Sequence, residues 1–238
     1  MGFDAARRSR EPEWMDAPDV APETLAACLA DLERVNALTL GRRPVLSFVA
    51  RAAKASSARR LAILDIGSGG GGTLRALAAW GRRAGVSLDL IGLDLSPHAV
   101  AAARAATDPA DAIAYRAGDA LAFAPDAPID LVVSSLTAHH LADEDVVRLL
   151  RRMEAIARLG WCVADLERSR LAYHGFALLA RAMRWHPFVR HDGPVSIARG
   201  FTRADWHALL ARADLAGQAR VVRRLPGRLV VERLKAAS

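Results

Sequence analysis

LAILDIGSGGGG, residues 61–72, is the stretch that decides the fold of this 238-residue chain. Its first six residues are mostly apolar and predict a buried strand, and the glycines that follow predict a turn into a helix over residues 73–84. Glycines at alternate positions let the backbone bend sharply and approach a ligand, because no Cβ stands in the way. The stretch therefore predicts a nucleotide site at the end of a strand.

Strand and helix patterns alternate along the rest of the chain, which predicts an α/β fold with a parallel sheet between two layers of helices. We predict strands at residues 61–66, 87–95, 112–119, 129–135 and 160–166, and helices between them at 73–84, 96–106 and 143–159. A helix over 171–183 and an irregular stretch to about residue 200 interrupt the alternation. Thr202 and Asp205 have the spacing of a capping box. Residues 218–234 predict an antiparallel hairpin around a Pro-Gly turn.

Composition narrows the classes of protein that this chain can represent. The formal net charge is +7, but nearly all of the basic residues are arginines that are spread among acids, which argues against a nucleic-acid partner. No stretch of about 18 apolar residues is present, so no membrane span is predicted. Cys28 and Cys162 are too few for a disulfide framework, and the N-terminus has no apolar leader. We therefore expect a cytoplasmic protein.

The glycine loop can be interpreted in two ways. Gly67, Gly69 and Gly72 fit the dinucleotide pattern G-x-G-x-x-G, with Asp94 at the place of a ribose-binding acid. Asp65, however, stands two residues before the glycines, and its carboxylate would repel a pyrophosphate by about 4 kcal/mol at 4 Å and an effective dielectric constant of about 20. S-adenosylmethionine carries an ammonium, a sulfonium and no phosphate, so the same carboxylate favours it. A nicotinamide-dependent oxidoreductase remains the alternative.

Four stretches, in order, resemble motifs of the class I S-adenosylmethionine-dependent methyltransferases: LDIGSGGGG, IGLDLSP, YRAGDA and IDLVVSSLTAHHL. The resemblance covers most of residues 61–238. It implies a Rossmann-like, doubly wound sheet of seven strands in the order 3-2-1-4-5-7-6, with the last strand antiparallel. The two helices predicted over residues 23–40 and 42–55 would then form an N-terminal helical appendage.

The same resemblance implies which residues bind S-adenosylmethionine. Asp65 would attract the amino group, Asp94 would accept the ribose hydroxyls, and Asp119 with the N–H of Ala120 would bind adenine. The complete set of cofactor-binding residues that we predict is Asp65, Gly67, Ser68, Gly69, Gly71, Asp94, Leu95, Asp119, Ala120 and Ser135.

The His-His pair after the fourth strand resembles that of methyltransferases that modify quinols, polyketides and other small molecules. We predict His139 as a general base for a hydroxyl of an aromatic or quinol acceptor, with His140 as the substitute candidate. Asp165 ends the neighbouring strand, about 4.8 Å away, and would orient the base; Arg168 is its alternative partner. Carbon and nitrogen acceptors, and a non-catalytic cofactor binder, stay open.

The resemblance also predicts where the acceptor is enclosed. Residues 1–58 would be an arm with helices that cover the active site, and residues 59–238 the cofactor-binding domain, with a lid at about 167–200. The predicted acceptor-binding residues are Trp14, Tyr173, His174, Arg190 and His191. In this chain RLGW replaces the family's Pro-Gly-Gly turn before the fifth strand, so the resemblance does not define the edge of the acceptor pocket. No metal is predicted, since Ser134 and Ser135 stand where carboxylates would be needed.

Overall fold

A single sheet organises the computed structural model, which describes residues 3–17 and 19–235. Its strands are β1 (Arg60–Ile66), β2 (Ser87–Asp94), β3 (Ala114–Ala117), β4 (Ile129–Ser135), β5 (Ala157–Leu166), β6 (Arg220–Arg224) and β7 (Arg228–Leu234). Their order is β3-β2-β1-β4-β5-β7-β6, and β7 is antiparallel to both of its neighbours. The predicted α/β class, strand order and reversed last strand are confirmed.

Helices cover both faces of the sheet. In chain order they are α1 (Pro22–Leu38), α2 (Arg43–Ser56), α3 (Gly72–Ala84), α4 (Pro97–Ala105), α5 (Asp143–Ile156), α6 (Arg170–Ala182), α7 (Pro187–Arg199) and α8 (Arg203–Arg212). Trp161 and Trp206 are fully buried in the core on the α5 and α8 side, and Phe48 is buried in the core on the α2 and α3 side. Burial of such large apolar side chains is the main force that holds these layers together.

Two differences from the predicted elements go beyond small shifts of their ends. Residues 157–159 were expected to continue a helix, but α5 ends at Ile156 and these residues begin β5. They pair with the start of β4 across a bulge near Leu131, so pairing between strands overrides a pattern that locally favoured helix. The stretch before residue 200 was expected to be irregular, but it contains α7, although Pro194 lies inside the helix.

The N-terminal helices play different parts in this architecture. α2 is amphipathic, and its apolar side chains are buried against the sheet. α1 instead packs against α4 and α7 and passes over the glycine loop, where Leu29 approaches Gly70. Within residues 3–17 and 19–235, no helix has the length and apolar character needed to cross a membrane.

Candidate active site

The loop between β1 and α3 requires glycine at several positions. Gly67, Gly69 and Gly71 have φ values of +70°, +50° and +78°, in the left-handed region that favours glycine. A Cβ at Gly67 would lie 2.2 Å from the hydroxyl of Thr137, and one at Gly71 would lie 2.2 Å from the hydroxyl of Tyr115. The loop is therefore held tightly by Tyr115 of β3 and by Thr137 after β4, and its residues are buried or partly buried.

Asp65 lies at the end of β1, beside this loop, and is almost completely buried. Its Oδ1 has no hydrogen-bond partner among the described residues, and the cap of α3 is Gly71, so Asp65 does not cap that helix. Burial, with the nearby carboxylate of Asp94, raises the pKa of Asp65 to about 8. A buried carboxyl group without a partner favours a cationic ligand, because only a positive charge would compensate its ionised form.

The other predicted cofactor residues follow the carboxyl ends of β2, β3 and β4. Asp94 accepts hydrogen bonds from the N–H groups of Gly69, at 2.8 Å, and Ser96, at 2.9 Å, which ties the end of β2 to the glycine loop. The exposed carboxylate of Asp119 accepts the N–H of Leu121. The remaining positions are a buried Ser68, an exposed Leu95, and a partly buried Ala120 and Ser135.

His139 and Asp165 form a buried pair at the ends of β4 and β5. His139 lies in a short 3-10 turn after β4, and its Nδ1 is 2.6 Å from Oδ1 of Asp165. The backbone N–H of His139 also donates to Oδ2 of Asp165, at 3.1 Å. Burial alone would raise the pKa of Asp165, but the His139 ring and the N–H of Leu166 outweigh it and hold this pKa below its ordinary value. The alternative partner, Arg168, is paired with Asp205 at 3.0 Å.

A residue that the sequence analysis missed faces these histidines. Glu13 in the N-terminal arm is buried, and its Oε1 lies 3.6 Å from Nε2 of His139 and has no hydrogen-bond partner within the part of the chain that the structure describes. Its Oε2 lies 3.9 Å from Nε2 of His140. Burial would lower the pKa of His140, but a 2.8 Å contact between its Nδ1 and Asp16, with the charge of Glu13, raises it. The only sequence signal for Glu13 was its position next to Trp14.

The atoms of this cluster are close enough to share a proton or to surround a cation. One oxygen of Glu13 and one ring nitrogen from each histidine all lie within 4.8 Å of one another. Each histidine contacts a carboxylate through its other ring nitrogen, so both rings are held in fixed orientations. The cluster therefore presents two imidazoles and one carboxylate to a single small volume.

Asp192 holds the N-terminal arm in place. It is buried in α7, and its carboxylate accepts the N–H groups of Trp14 and Met15, at 2.8 and 3.0 Å. The Trp14 ring stacks on His191, with the ring centroids 3.8 Å apart. Arg199 of the same helix donates to the carbonyl oxygens of His139 and His140. The arm, α7 and the histidine turn are thus connected.

The predicted acceptor-binding residues fall into separate groups. Tyr173 lines a cavity of about 460 Å³ between residues 3–11 of the arm and α7, and His174 lies beside it with ring centroids 5.1 Å apart. Trp14 lines a second cavity of about 350 Å³, together with Phe188. His174 and Arg190 are exposed. The structure therefore brings Trp14 together with His191, and Tyr173 with His174, without placing all five around one cavity.

Comparisons with known proteins agree with this geometry. A family model described as a methyltransferase domain matches residues 63–160. The search against curated proteins finds no match. Among solved structures, magnesium protoporphyrin IX methyltransferase from Synechocystis PCC 6803 is 17% identical over 82% of each chain, with a TM-score of 0.53. Human N-acetylserotonin methyltransferase is 17% identical over 91% of this chain and 57% of its own, with a TM-score of 0.61.

A third solved structure is similar over nearly its whole length. The plantazolicin methyltransferase is 13% identical over 91% of this chain and 95% of its own, with a TM-score of 0.63. All three were crystallised with S-adenosylmethionine or its product S-adenosylhomocysteine. The buried, unpartnered carboxyl group of Asp65 beside the glycine turn fits that cationic cofactor. Residues 63–160 therefore match a methyltransferase domain, and the chain shares the fold of these S-adenosylmethionine-dependent methyltransferases.

Proposed function

We propose that this enzyme methylates a small molecule at a hydroxyl group of an aromatic or quinol compound, with His139 as the general base. The buried pair of His139 and Asp165 at the carboxyl edge of the sheet is the observation that supports this proposal most directly. Ligands of open α/β sheets bind at that edge. When bound, S-adenosylmethionine supplies an electrophilic methyl group on a sulfonium.

The residues around the glycine loop would hold the cofactor in the arrangement that the family resemblance implies. Asp65 would bind the amino group, Asp94 the ribose hydroxyls, and Asp119 with Ala120 the adenine. Gly67, Gly69 and Gly71, together with Ser68, Leu95 and Ser135, would line the remaining surface. Because Asp94 already orders the glycine loop through the N–H of Gly69, the ribose site would be formed before the cofactor arrives.

His139 is the better placed of the two candidate bases. An ionised Asp165 stabilises the tautomer of His139 that carries its proton on Nδ1, which leaves Nε2 able to accept a proton from the acceptor. A phenol has a pKa near 10, so removal of its proton strengthens the nucleophile. His140, whose Nδ1 contacts Asp16, remains the substitute, and Glu13 would share the proton after it reaches Nε2.

The arm and the α6–α7 segment would enclose the acceptor. Both contribute walls to the cavities beside Tyr173 and Trp14, and Asp192 joins them. This supports the proposed division into a covering part, residues 1–58, and a cofactor-binding part, residues 59–238, with a lid at about 167–200. We also propose that the enzyme works in a reducing cytoplasm, since Cys28 and Cys162 are free thiols in the structure, and that it needs no metal.

A turnover assay tests the function. The enzyme is incubated with S-adenosylmethionine and a panel of phenols, hydroquinones, aryl amines and enolisable ketones, and release of S-adenosylhomocysteine is measured by mass spectrometry. We expect turnover of hydroxylated aromatics. If only amines or ketones are methylated, the acceptor atom is nitrogen or carbon instead of a hydroxyl oxygen. If nothing is methylated although the chain binds the cofactor, the protein is a non-catalytic binder.

Variants then test the base. His139→Ala should lower kcat about 10²- to 10⁴-fold, the usual contribution of a general base, with the dissociation constant of S-adenosylhomocysteine unchanged. Asp165→Asn should lower kcat as well, since an amide stabilises the wrong tautomer. His140→Ala is the matched control. If His140→Ala loses the activity and His139→Ala keeps it, the roles of the two rings are exchanged; full activity in both variants would refute histidine catalysis.

A further inference from the structure

Arg228 is a buried arginine that the proposed mechanism does not use. It is the first residue of β7, opposite Leu166 at the end of β5, and only 4% of its surface is exposed. Leu166 precedes the lid segment, so the Arg228 guanidinium lies at the edge of the sheet where the acceptor is expected. Arginine is almost never buried in a protein without a charged partner.

The guanidinium of Arg228 donates no hydrogen bond to a carboxylate of the described residues, and Asp165 acts on it only as a nearby charge. Its Nη2 donates only to neutral oxygens, Oδ1 of Asn36 at 3.2 Å and Oγ1 of Thr39 at 3.3 Å. Its Nε and Nη1, which between them carry three N–H donors, are buried and make no hydrogen bond with the described residues. The fold alone therefore leaves most of this group's hydrogen-bonding capacity unused.

Arg168 is also buried, and it illustrates an arginine with a structural role. Arg168 is paired with Asp205 at 3.0 Å and donates to the carbonyl oxygens of Ala5 and Gly200. Burial lowers the pKa of Arg228 to about 10 although the charge of Asp165 opposes this, so the fold compensates the buried cation only in part. An anion supplied from outside the chain would complete that compensation.

The end of α1 and the turn that follows it pack closely on the guanidinium of Arg228. Gly41 lies in the turn between α1 and α2, and a Cβ there would lie 2.6 Å from Nη2 of Arg228. Asn36 and Thr39, at the end of α1, hold that same nitrogen from one side. These contacts hold one nitrogen, whereas the other two are buried and have no hydrogen-bond partner among the described residues.

Strand register separates Arg228 from the cofactor's amino-acid end. Pairing across the sheet aligns Asp65 with Val133, then with Cys162 and then with Glu232. Asp65 and Glu232 are therefore separated by three strand spacings, or about 14 Å. Arg228 lies a further four residues from Glu232 along β7, toward the carboxyl edge of β5. Arg228 therefore lies far from Asp65, at the carboxyl edge of β5 that also carries Asp165.

We propose that Arg228 binds a carboxylate of the methyl acceptor, so that the acceptor is a hydroxylated aromatic acid. The inference rests on the proposed function, because it assigns the anion to the molecule that is methylated. The cofactor also carries a carboxylate, and the two sources are distinguished by the experiment below.

The test uses the full chain saturated with S-adenosylhomocysteine. Mono- and dihydroxylated benzoates and cinnamates are each titrated beside the matching amide, which has nearly the same shape and no charge. The wild type should bind at least one acid about 10- to 100-fold more tightly than its amide, the usual range for hydrogen bonds to a charged group. Arg228→Met should abolish that preference, and Arg228→Lys should keep part of it.

Arg224→Gln is the matched control, since Arg224 lies opposite Arg228 in the same hairpin but is exposed. It should leave the preference unchanged. If no acid on the panel binds more tightly than its amide, or if Arg228→Met keeps the preference, the proposal is wrong. It is also overturned if Arg228→Met weakens S-adenosylhomocysteine but not methylthioadenosine, which lacks the amino-acid end, because Arg228 would then bind the cofactor.

Two further measurements distinguish this proposal from a purely structural role of Arg228 and from the proposed hydroxyl methylation. In the ligand-free protein Arg228→Met should raise the midpoint of thermal unfolding, because it removes an incompletely compensated buried charge, whereas loss of a purely structural arginine would lower it. If acids bind more tightly than their amides but no S-adenosylhomocysteine is released, the anion site stands and the proposed hydroxyl methylation is refuted. Turnover of neutral phenols without acid preference would refute only the anion site.

Discussion

The buried carboxyl group of Asp65 makes the sharpest prediction about cofactor binding, and Asp65→Asn tests it. The pKa of this group rises from an ordinary 3.8 to about 8 in the fold. Between those two values the folded protein holds a proton that the unfolded chain has released, so stability falls as the pH rises through this window. From pH 5 to pH 8 the loss amounts to about 4 kcal/mol, at about 1.4 kcal/mol for each pH unit.

Asparagine has nearly the same shape as aspartate and does not titrate. The difference in unfolding free energy between Asp65→Asn and the wild type should therefore shift by about 4 kcal/mol in favour of the variant from pH 5 to pH 8. Urea unfolding followed by circular dichroism measures it. Asp89→Asn removes an exposed carboxylate on β2 and serves as the control, for which the difference should stay nearly constant.

The same carboxyl group should release its proton when the cationic amino group of the cofactor binds. At pH 7 about nine-tenths of Asp65 is protonated in the ligand-free protein, given a pKa of about 8. Calorimetry of S-adenosylhomocysteine in buffers of different ionisation enthalpy should detect that proton in the wild type and not in Asp65→Asn. The variant should bind S-adenosylhomocysteine about 10- to 100-fold more weakly but methylthioadenosine equally well.

Two results would refute this reasoning. The first is a pH-independent stability difference between Asp65→Asn and the wild type. The second is binding of S-adenosylhomocysteine with equal affinity and no proton release in both proteins. Either would mean that the carboxyl group at the end of β1 does not face the cofactor's cationic end.

Three other predictions concern the loop, the arm and metals. Gly71→Ala should lower the unfolding free energy by more than about 3 kcal/mol, because a Cβ there would lie 2.2 Å from the Tyr115 hydroxyl. Gly217→Ala is the control, since Gly217 has a similar φ of +71° but open space around it, and it should cost only about 1 kcal/mol. Equal losses in the two variants would contradict the contact with Tyr115. Asp192→Ala should free the arm and speed its limited proteolysis relative to Asp19→Ala, an exposed acid nearby, and identical cleavage rates would refute the anchor. Treatment with a chelator should leave turnover unchanged, and recovery of a lost activity by added Zn²⁺ or Fe²⁺ would instead assign a metal to Glu13, His139 and His140.

Local patterns in the sequence predicted much of the fold correctly. The glycine loop, the alternation of strands and helices, the capping box of Thr202 and Asp205, and the closing hairpin all depend on residues a few positions apart. Such features reflect backbone conformation and the periodicity of apolar side chains, which a short window contains. The 2.6 Å contact of His139 with Asp165 was one of two expected alternatives, the other being a pair of Asp165 with Arg168, and it depended on the strand order that the family resemblance implied.

The tertiary structure decided what depends on distant parts of the chain. The hydrogen bond from Trp14 to Asp192 joins residues 178 positions apart, and it places Glu13 against the histidines. The buried guanidinium of Arg228 is visible only once α1 and β7 meet. Sequence patterns alone determined the strands, the helices and the glycine loop, because local conformational preferences encode them, whereas the strand order followed from the family resemblance. Burial and charge pairing determined the acceptor side of the site, because they exist only after folding brings the separate segments together.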